Sequence, residues 1–192
     1  MTTSSSGMVD AFACALSMAR DLGSSSMGMV GYGVVQRFDG DGRPTLLLPF
    51  ANLVTDAGDL YYAGKAIAGV APASAAAPTA VTGMQIGSGV GAPTKAGATS
   101  AIVTLLAGQA FDATFPSLTN LGTTLGVNAV HKTTYAPATG TGTVTEATIT
   151  NGAIGTASVA ANTIARVLFG SPVTKASTDT LAVTWNHKFL GT

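Results

Sequence analysis

The sequence predicts a mainly β protein: an antiparallel β-sandwich of jelly-roll-like character with an N-terminal helical arm and one short additional helix. Two observations carry this. Residues 143–150 (TVTEATIT), 162–169 (NTIARVLF) and 180–189 (TLAVTWNHKF) alternate Thr with Val, Ile, Leu or an aromatic, the pattern of a pleated surface with one face buried. Between the last two runs, residues 170–179 (GSPVTKASTD) are too polar and too short for a crossover helix. They suit antiparallel neighbours, so the end of the chain reads as a β-meander. A chain of 192 residues is long enough to fold as one domain without a covalent staple. The expected division is an arm over residues 1–28 and a single sandwich domain over 29–192.

In chain order, residues 8–22 are rich in Ala, Leu and Met and end before Gly23, which predicts a helix. Met8, Phe12, Leu16 and Ala19 share one face, which should pack on the domain itself or on a neighbouring subunit. The flanking residues 2–7 and 23–28 have the Ser/Gly composition of linkers. Residues 29–38 and 43–50 read as two strands joined by Asp39-Gly-Asp-Gly42, because Asp-Gly is a strong hairpin signal. A calcium loop there would need a terminal Glu about eleven positions on, and position 50 is Phe, so no metal is expected.

Residues 52–68 predict a short helix capped by Thr55 or Asp56, burying Leu60, Ala63 and Ile67. Asp56 and Asp59 sit one turn apart, where the helix dipole favours acids, so they need no catalytic explanation. Pro72 and Pro78 make residues 69–80 a loop. Residues 80–86 and 100–106 read as strands. The intervening Gly87-Ser-Gly-Val-Gly91 resembles a dinucleotide loop only in composition. Ala92-Pro93 opens no helix, and Asp112 has no such helix before it, so a turn or bulge is the better account. Residues 111–116 and 126–135 follow as candidate strands. The second has Val127, Ala129, His131 and Thr133 on one side and Asn128, Val130, Lys132 and Thr134 on the other. Such mixed faces suit an edge strand or a strand lying against a neighbouring chain.

The chemistry available is sparse: one Glu, eight Asp, two His and one Cys. His131 and His187 carry no metal-ligand spacing and are expected as partly exposed strand histidines. Cys14, between alanines, reads as a small buried residue. No Gly-x-Ser-x-Gly elbow with partners is present. Glu146 is expected to form a cross-strand salt bridge with Arg166 that fixes sheet register, and its replacement by Gln should then lower stability only modestly. No catalytic residue, cofactor or metal is therefore expected.

Charged residues are only 9% of the chain and the formal net charge is zero. The nine basic residues are scattered from Arg20 to Lys188, which disfavours nucleic acid. No apolar run reaches the roughly 20 residues of a membrane helix. The N-terminus has no positive charge before its apolar stretch, so the chain is expected to be made in the cytoplasm without a secretory signal. A surface this neutral is easiest to understand if neighbours cover much of it, which points to a homo-oligomer.

The strand containing Glu146, the Ala165-Arg-Val-Leu-Phe169 strand, the link with Lys175 and Asp179, and the closing Leu181-Ala-Val-Thr-Trp185 together resemble the closing signature of small virion structural proteins of tailed bacteriophages. Asn52-Leu-Val-Thr-Asp-Ala-Gly58 and Met84-Gln-Ile-Gly-Ser-Gly89 resemble further parts of the same pattern. The resemblance implies a place in the virion, as a capsid decoration or cement protein or as a tail or fibre component. Its partners would be further copies, with a trimer about a local threefold axis among the arrangements the resemblance implies, and the major capsid protein or tail proteins. Phe111, Phe169, Trp185 and Phe189 would anchor the core or a subunit seam. A ligand-binding or adhesive β-domain is the alternative from another class.

Overall fold

The computed structural model describes residues 29–66, 79–121 and 126–189. The expected N-terminal arm, with Phe12, Cys14 and Leu16, lies outside them, as do Ile67 and most of the proline loop. Among the described residues there are nine strands and one α-helix: β1 (Met29–Phe38), β2 (Pro44–Val54), α1 (Asp56–Ala66), β3 (Gly83–Gly87), β4 (Leu105–Ala110), β5 (Ser117–Asn120), β6 (Val127–Tyr135), β7 (Gly142–Thr150), β8 (Thr163–Lys175) and β9 (Thr180–Phe189). Every strand pairing is antiparallel. The chain forms two compact units.

The first unit holds residues 29–52, 112–137 and 178–189, with strands in the order β2-β1-β9-β6-β5. The expected hairpin opens it. The Asp39 carboxylate accepts the amides of Asp41 and Arg43 (3.0 and 2.9 Å), so this acid is used to close the turn. Register places Phe50, Val35, Trp185, Val183, Leu181, His131, Thr133 and Tyr135 on one face, and all of them are buried. Gly31 and Gly33 let side chains lie flat across β1. A Cβ on either would strike Asn52 or Phe50, and Phe50 thereby meets the Trp185 ring edge-on at 5.0 Å.

Three expectations change here. β6 lies between β9 and β5 and is not an edge strand. β9 pairs with β1 and β6, so the last two strands do not form a meander. Residues 111–116 form a turn, closed by a Phe115 amide to Asp112 carbonyl bond, in which the Asp112 carboxylate accepts the Thr134 amide and hydroxyl (2.8 and 2.7 Å). Tying Asp112 to β6 in this way removes it from any extended run.

The second unit holds residues 53–111 and 138–177. Its ladder runs β4-β3-β7-β8, and the last residues of β2, Leu53 and Val54, pair with Arg166 and Ala165. Met84, Ile86, Ala147, Ile149, Ala165 and Val167 supply the apolar face, all essentially inaccessible. β8 runs on to Lys175 through the stretch expected to be a link, pairing with Gly142, Thr143 and Val144.

Helix α1 starts later than expected because residues 52–54 remain in β2. Thr55 caps it: its hydroxyl accepts the Gly58 amide at 3.0 Å and its carbonyl accepts that of Asp59. The helix packs on β8 through Gly58, where a Cβ would collide with the Ile164 carbonyl. That close approach rotates the expected apolar face outward, leaving Leu60 53% exposed.

Candidate functional site

The second face of the β3-β7-β8 ladder is polar and buried, and it is organised around one ion pair. Glu146 on β7 and Arg166 on β8 stand on diagonal register positions of one face, since Glu146 pairs with Leu168 and Arg166 with Thr148. Both are 0% exposed. Arg166 approaches as a fork, Nε and Nη2 donating to Glu146 Oε2 at 3.0 and 2.7 Å. Its Nη1 donates to the Thr99 carbonyl at 2.8 Å.

The carboxylate's remaining capacity goes to backbone. Oε1 accepts the amides of Gly89, Val103 and Thr104 at 2.9, 3.0 and 3.0 Å, and Oε2 shares that of Val103 at 3.2 Å. Gly89 permits this approach, because a Cβ there would run into the carboxylate and Val103. The strand expected over residues 100–106 therefore gives way. Residues 98–100 form a 3₁₀ turn and β4 begins only at Leu105, because the amides of residues 103 and 104 turn inward to the carboxylate. The glycine run 87–91 begins at a bulge, where the β3–β4 register shifts between Ile86 and Gly87, and continues as irregular chain.

A second buried polar side chain, Gln85 on β3, fixes the neighbouring loop over residues 151–162. Its Nε2 donates to the carbonyls of Ile154 and Thr156 (3.0 and 2.6 Å), and its Oε1 accepts the Ser158 amide (2.9 Å). The Ser158 hydroxyl accepts from the Ile102 amide and the Thr163 hydroxyl, joining the two loops. The Lys95 carbonyl accepts the Asp56 amide, and its ammonium pairs with Asp59. Asp59 therefore holds the loop to helix α1. Among the residues these pinned loops show to solvent are three aliphatic side chains, with Val90 80%, Val103 48% and Val159 57% exposed, beside exposed Thr94, Lys95, Thr104 and Thr156.

In the first unit, His131 and His187 are buried, contrary to the partly exposed histidines expected, and their rings meet edge-to-face with centroids 5.4 Å apart. His187 Nε2 lies 3.4 Å from Asn52 Nδ2. Burial lowers the His131 pKa to about 4, against the raising effect of a hydrogen bond with the Trp185 backbone. Burial, with His131 adding, holds His187 well below its ordinary value. Both are neutral packing groups at neutral pH.

Of the aromatic anchors, Trp185 is fully buried in the first unit and Phe169 is buried in the second. Phe189 and Phe111 are half-buried. Sequence reasoning passed over Gln85 and Asn52. The signal for the first was a lone amide inside the apolar run Met84-Gln-Ile86. For the second it was the period-two pair Gly31 and Gly33, which marks a side chain crossing the strand. Among the described residues no group of three or more His, Cys, Asp or Glu side chains could hold a metal ion. No described helix is long and apolar enough to cross a membrane.

No known family matches this chain, nor does a curated protein or a solved structure.

Proposed function

We propose that this chain is a non-enzymatic structural protein of a tailed-bacteriophage particle, a decoration or cement protein that binds the head surface and stabilises the shell. The observation that carries this is the buried Glu146–Arg166 pair with its loops. The only glutamate, the most obvious candidate for acid–base chemistry, has both oxygens consumed by six hydrogen bonds inside the fold. It fixes the shape of a loop and leaves no atom for a substrate. The loop so fixed presents Val90 and Val103 to solvent, and the neighbouring loop held by Gln85 presents Val159, which suits contact with a protein surface better than chemistry.

The resemblance to small phage virion proteins rests on the same residues, Glu146 and Arg166 among them, which ties the recognised pattern to this loop-holding device. The partners are further copies of the chain and the major capsid protein. The jelly-roll-like sandwich and the N-terminal arm expected from the sequence belong to the same proposal.

Gold-labelled antibody against the chain, applied to purified particles, tests it. Label over the head supports the decoration role, and label confined to one end moves the chain to the tail or fibre. No label on any particle overturns the virion proposal in favour of a ligand-binding β-domain. Val90→Asp with Val159→Asp should weaken binding to undecorated heads without moving the melting temperature. Deleting residues 1–26 should also weaken it if the arm reaches a neighbour.

A further inference from the structure

β5 ends the strand order of the first unit and has β6 on one side. Beyond Asn120, the Leu121 amide donates to the Gly126 carbonyl at 2.9 Å. Bonded and non-bonded positions alternate along an antiparallel pair, so Thr119 and Ser117 turn their backbone groups to β6 while Leu118 turns its N–H and C=O away from it. The Leu118 side chain is 76% exposed. Register puts it on the same face as Ala129 and Val127, and Val127 is itself 37% exposed. The apolar face of the unit thus runs out to solvent at this edge.

Exposed edges are ordinarily blunted by charge, by a proline within the strand or by a bulge. No Asp, Glu, Lys or Arg occurs from residue 113 to residue 130. Pro116 stands ahead of the strand, and the β5–β6 register runs without a shift.

We propose that β5 is a seam between two copies of this chain, with Leu118 on the two-fold axis between them. About such an axis, each Leu118 amide donates to the other copy's Leu118 carbonyl, and the two leucine side chains meet on one face. The charge-free strip selects this occupant. A charged partner would lose hydration without gaining a counter-charge, whereas a second copy brings the same neutral strip on a chain of zero net charge. The seam deepens the self-association in the proposed function, but it requires no particle, so failure of one does not entail failure of the other.

Sedimentation of the purified full chain over micromolar to millimolar concentration tests it. The mass should double with concentration. Leu118→Lys should stay monomeric with an unchanged melting temperature, since the side chain it alters is exposed. Leu118→Cys in a Cys14→Ser background should cross-link across the axis, because opposed positions of a bonded pair lie about 5.5 Å apart, within disulfide reach. Thr119→Cys, on the opposite face, should not. A wild-type chain that stays monomeric, a dimer that survives Leu118→Lys, or equal cross-linking at positions 118 and 119 would each overturn the proposal.

Discussion

Replacing Glu146 by Gln changes a single atom, and the geometry makes that change expensive. The carboxylate accepts three bonds from backbone amides at Oε1 and two from Arg166 at Oε2. An amide keeps one acceptor oxygen and turns two N–H donors toward groups that are themselves donors. If the oxygen keeps Arg166, the amides of residues 89 and 104 lose their acceptor and that of residue 103 keeps only its longer 3.2 Å bond. If it keeps the amides, the guanidinium is left charged at zero exposure with only the Thr99 carbonyl. Breaking a buried pair from one side costs about 3–5 kcal/mol, a large share of the roughly 5–15 kcal/mol of a whole domain. At a urea slope of about 2 kcal/mol per molar, the unfolding midpoint falls by about 2 M. The modest loss that an exposed cross-strand pair would give is therefore replaced by a severe one. Urea unfolding followed by circular dichroism measures it. The pair Glu146→Met with Arg166→Met separates stability from loop shape: most of the stability should return, while hydrogen exchange at the amides of residues 89, 103 and 104 stays fast. A loss below about 1 kcal/mol for Glu146→Gln, the range of exposed pairs, would refute the reasoning by showing that water reaches the pair.

The histidine pair makes the first unit acid-sensitive. His131 titrates near 6.5 when unfolded and at about 4 when folded, so the unfolded chain binds more protons between these values. Stability is full above the unfolded pKa and falls as pH drops toward 4, by about 3 kcal/mol for His131 alone. The His131→Gln, His187→Gln variant should lose that slope in urea titrations between pH 7 and pH 4. Gly58→Ala would gain about 1 kcal/mol from helix propensity, but its methyl meets the Ile164 carbonyl, and the net effect should be a loss of about 1–3 kcal/mol by overpacking, read as a lower melting temperature. Leu60→Ala, at an exposed site, should stay within about 0.5 kcal/mol of the parent chain.

The parts of the fold legible in the sequence are those set by local pattern. The first hairpin, with its Asp-Gly turn, and strands β6, β7 and β9 follow from period-two alternation, and Thr55 from helix-cap chemistry. The parts that were not legible are set by contacts between distant residues. Residues 103–104 leave the extended conformation because a carboxylate more than forty positions away takes their amides. Leu60 faces solvent because Gly58, rather than the leucine stripe, packs on β8. The histidines looked partly exposed because each alternates with polar neighbours, yet register brings them together on a covered face. The first part of the expected link, residues 170–175, belongs to β8 because pairing with the start of β7 keeps it extended despite its polar composition. At the site, the Glu146–Arg166 pairing was legible because both residues are isolated charges in adjacent strands. Its burial was not, since nothing local shows that the glycine-rich loop over residues 88–104 covers it.

A chain with only nine acids and nine bases commits its single glutamate and Arg166 to the interior, where each costs desolvation that a pair of hydrophobic residues would avoid. That choice is intelligible if loop shape matters more than stability. Residues 87–104 contain four glycines and four alanines and have little side-chain packing with which to specify a conformation. Three amides and one carbonyl held by a fixed charge pair supply it instead. Gln85 does the same for residues 151–162, which are equally poor in large side chains. Buried polar groups set the shape of these loops, and small neutral side chains, with the single charge of Lys95, set their surface. Such a surface can approach another protein closely without stripping water from charges, at the cost of the electrostatic repulsion that would keep copies apart. The same trade explains why the β5 edge can remain uncharged: it is a hazard for a solitary protein and an advantage for one that is assembled with its neighbours.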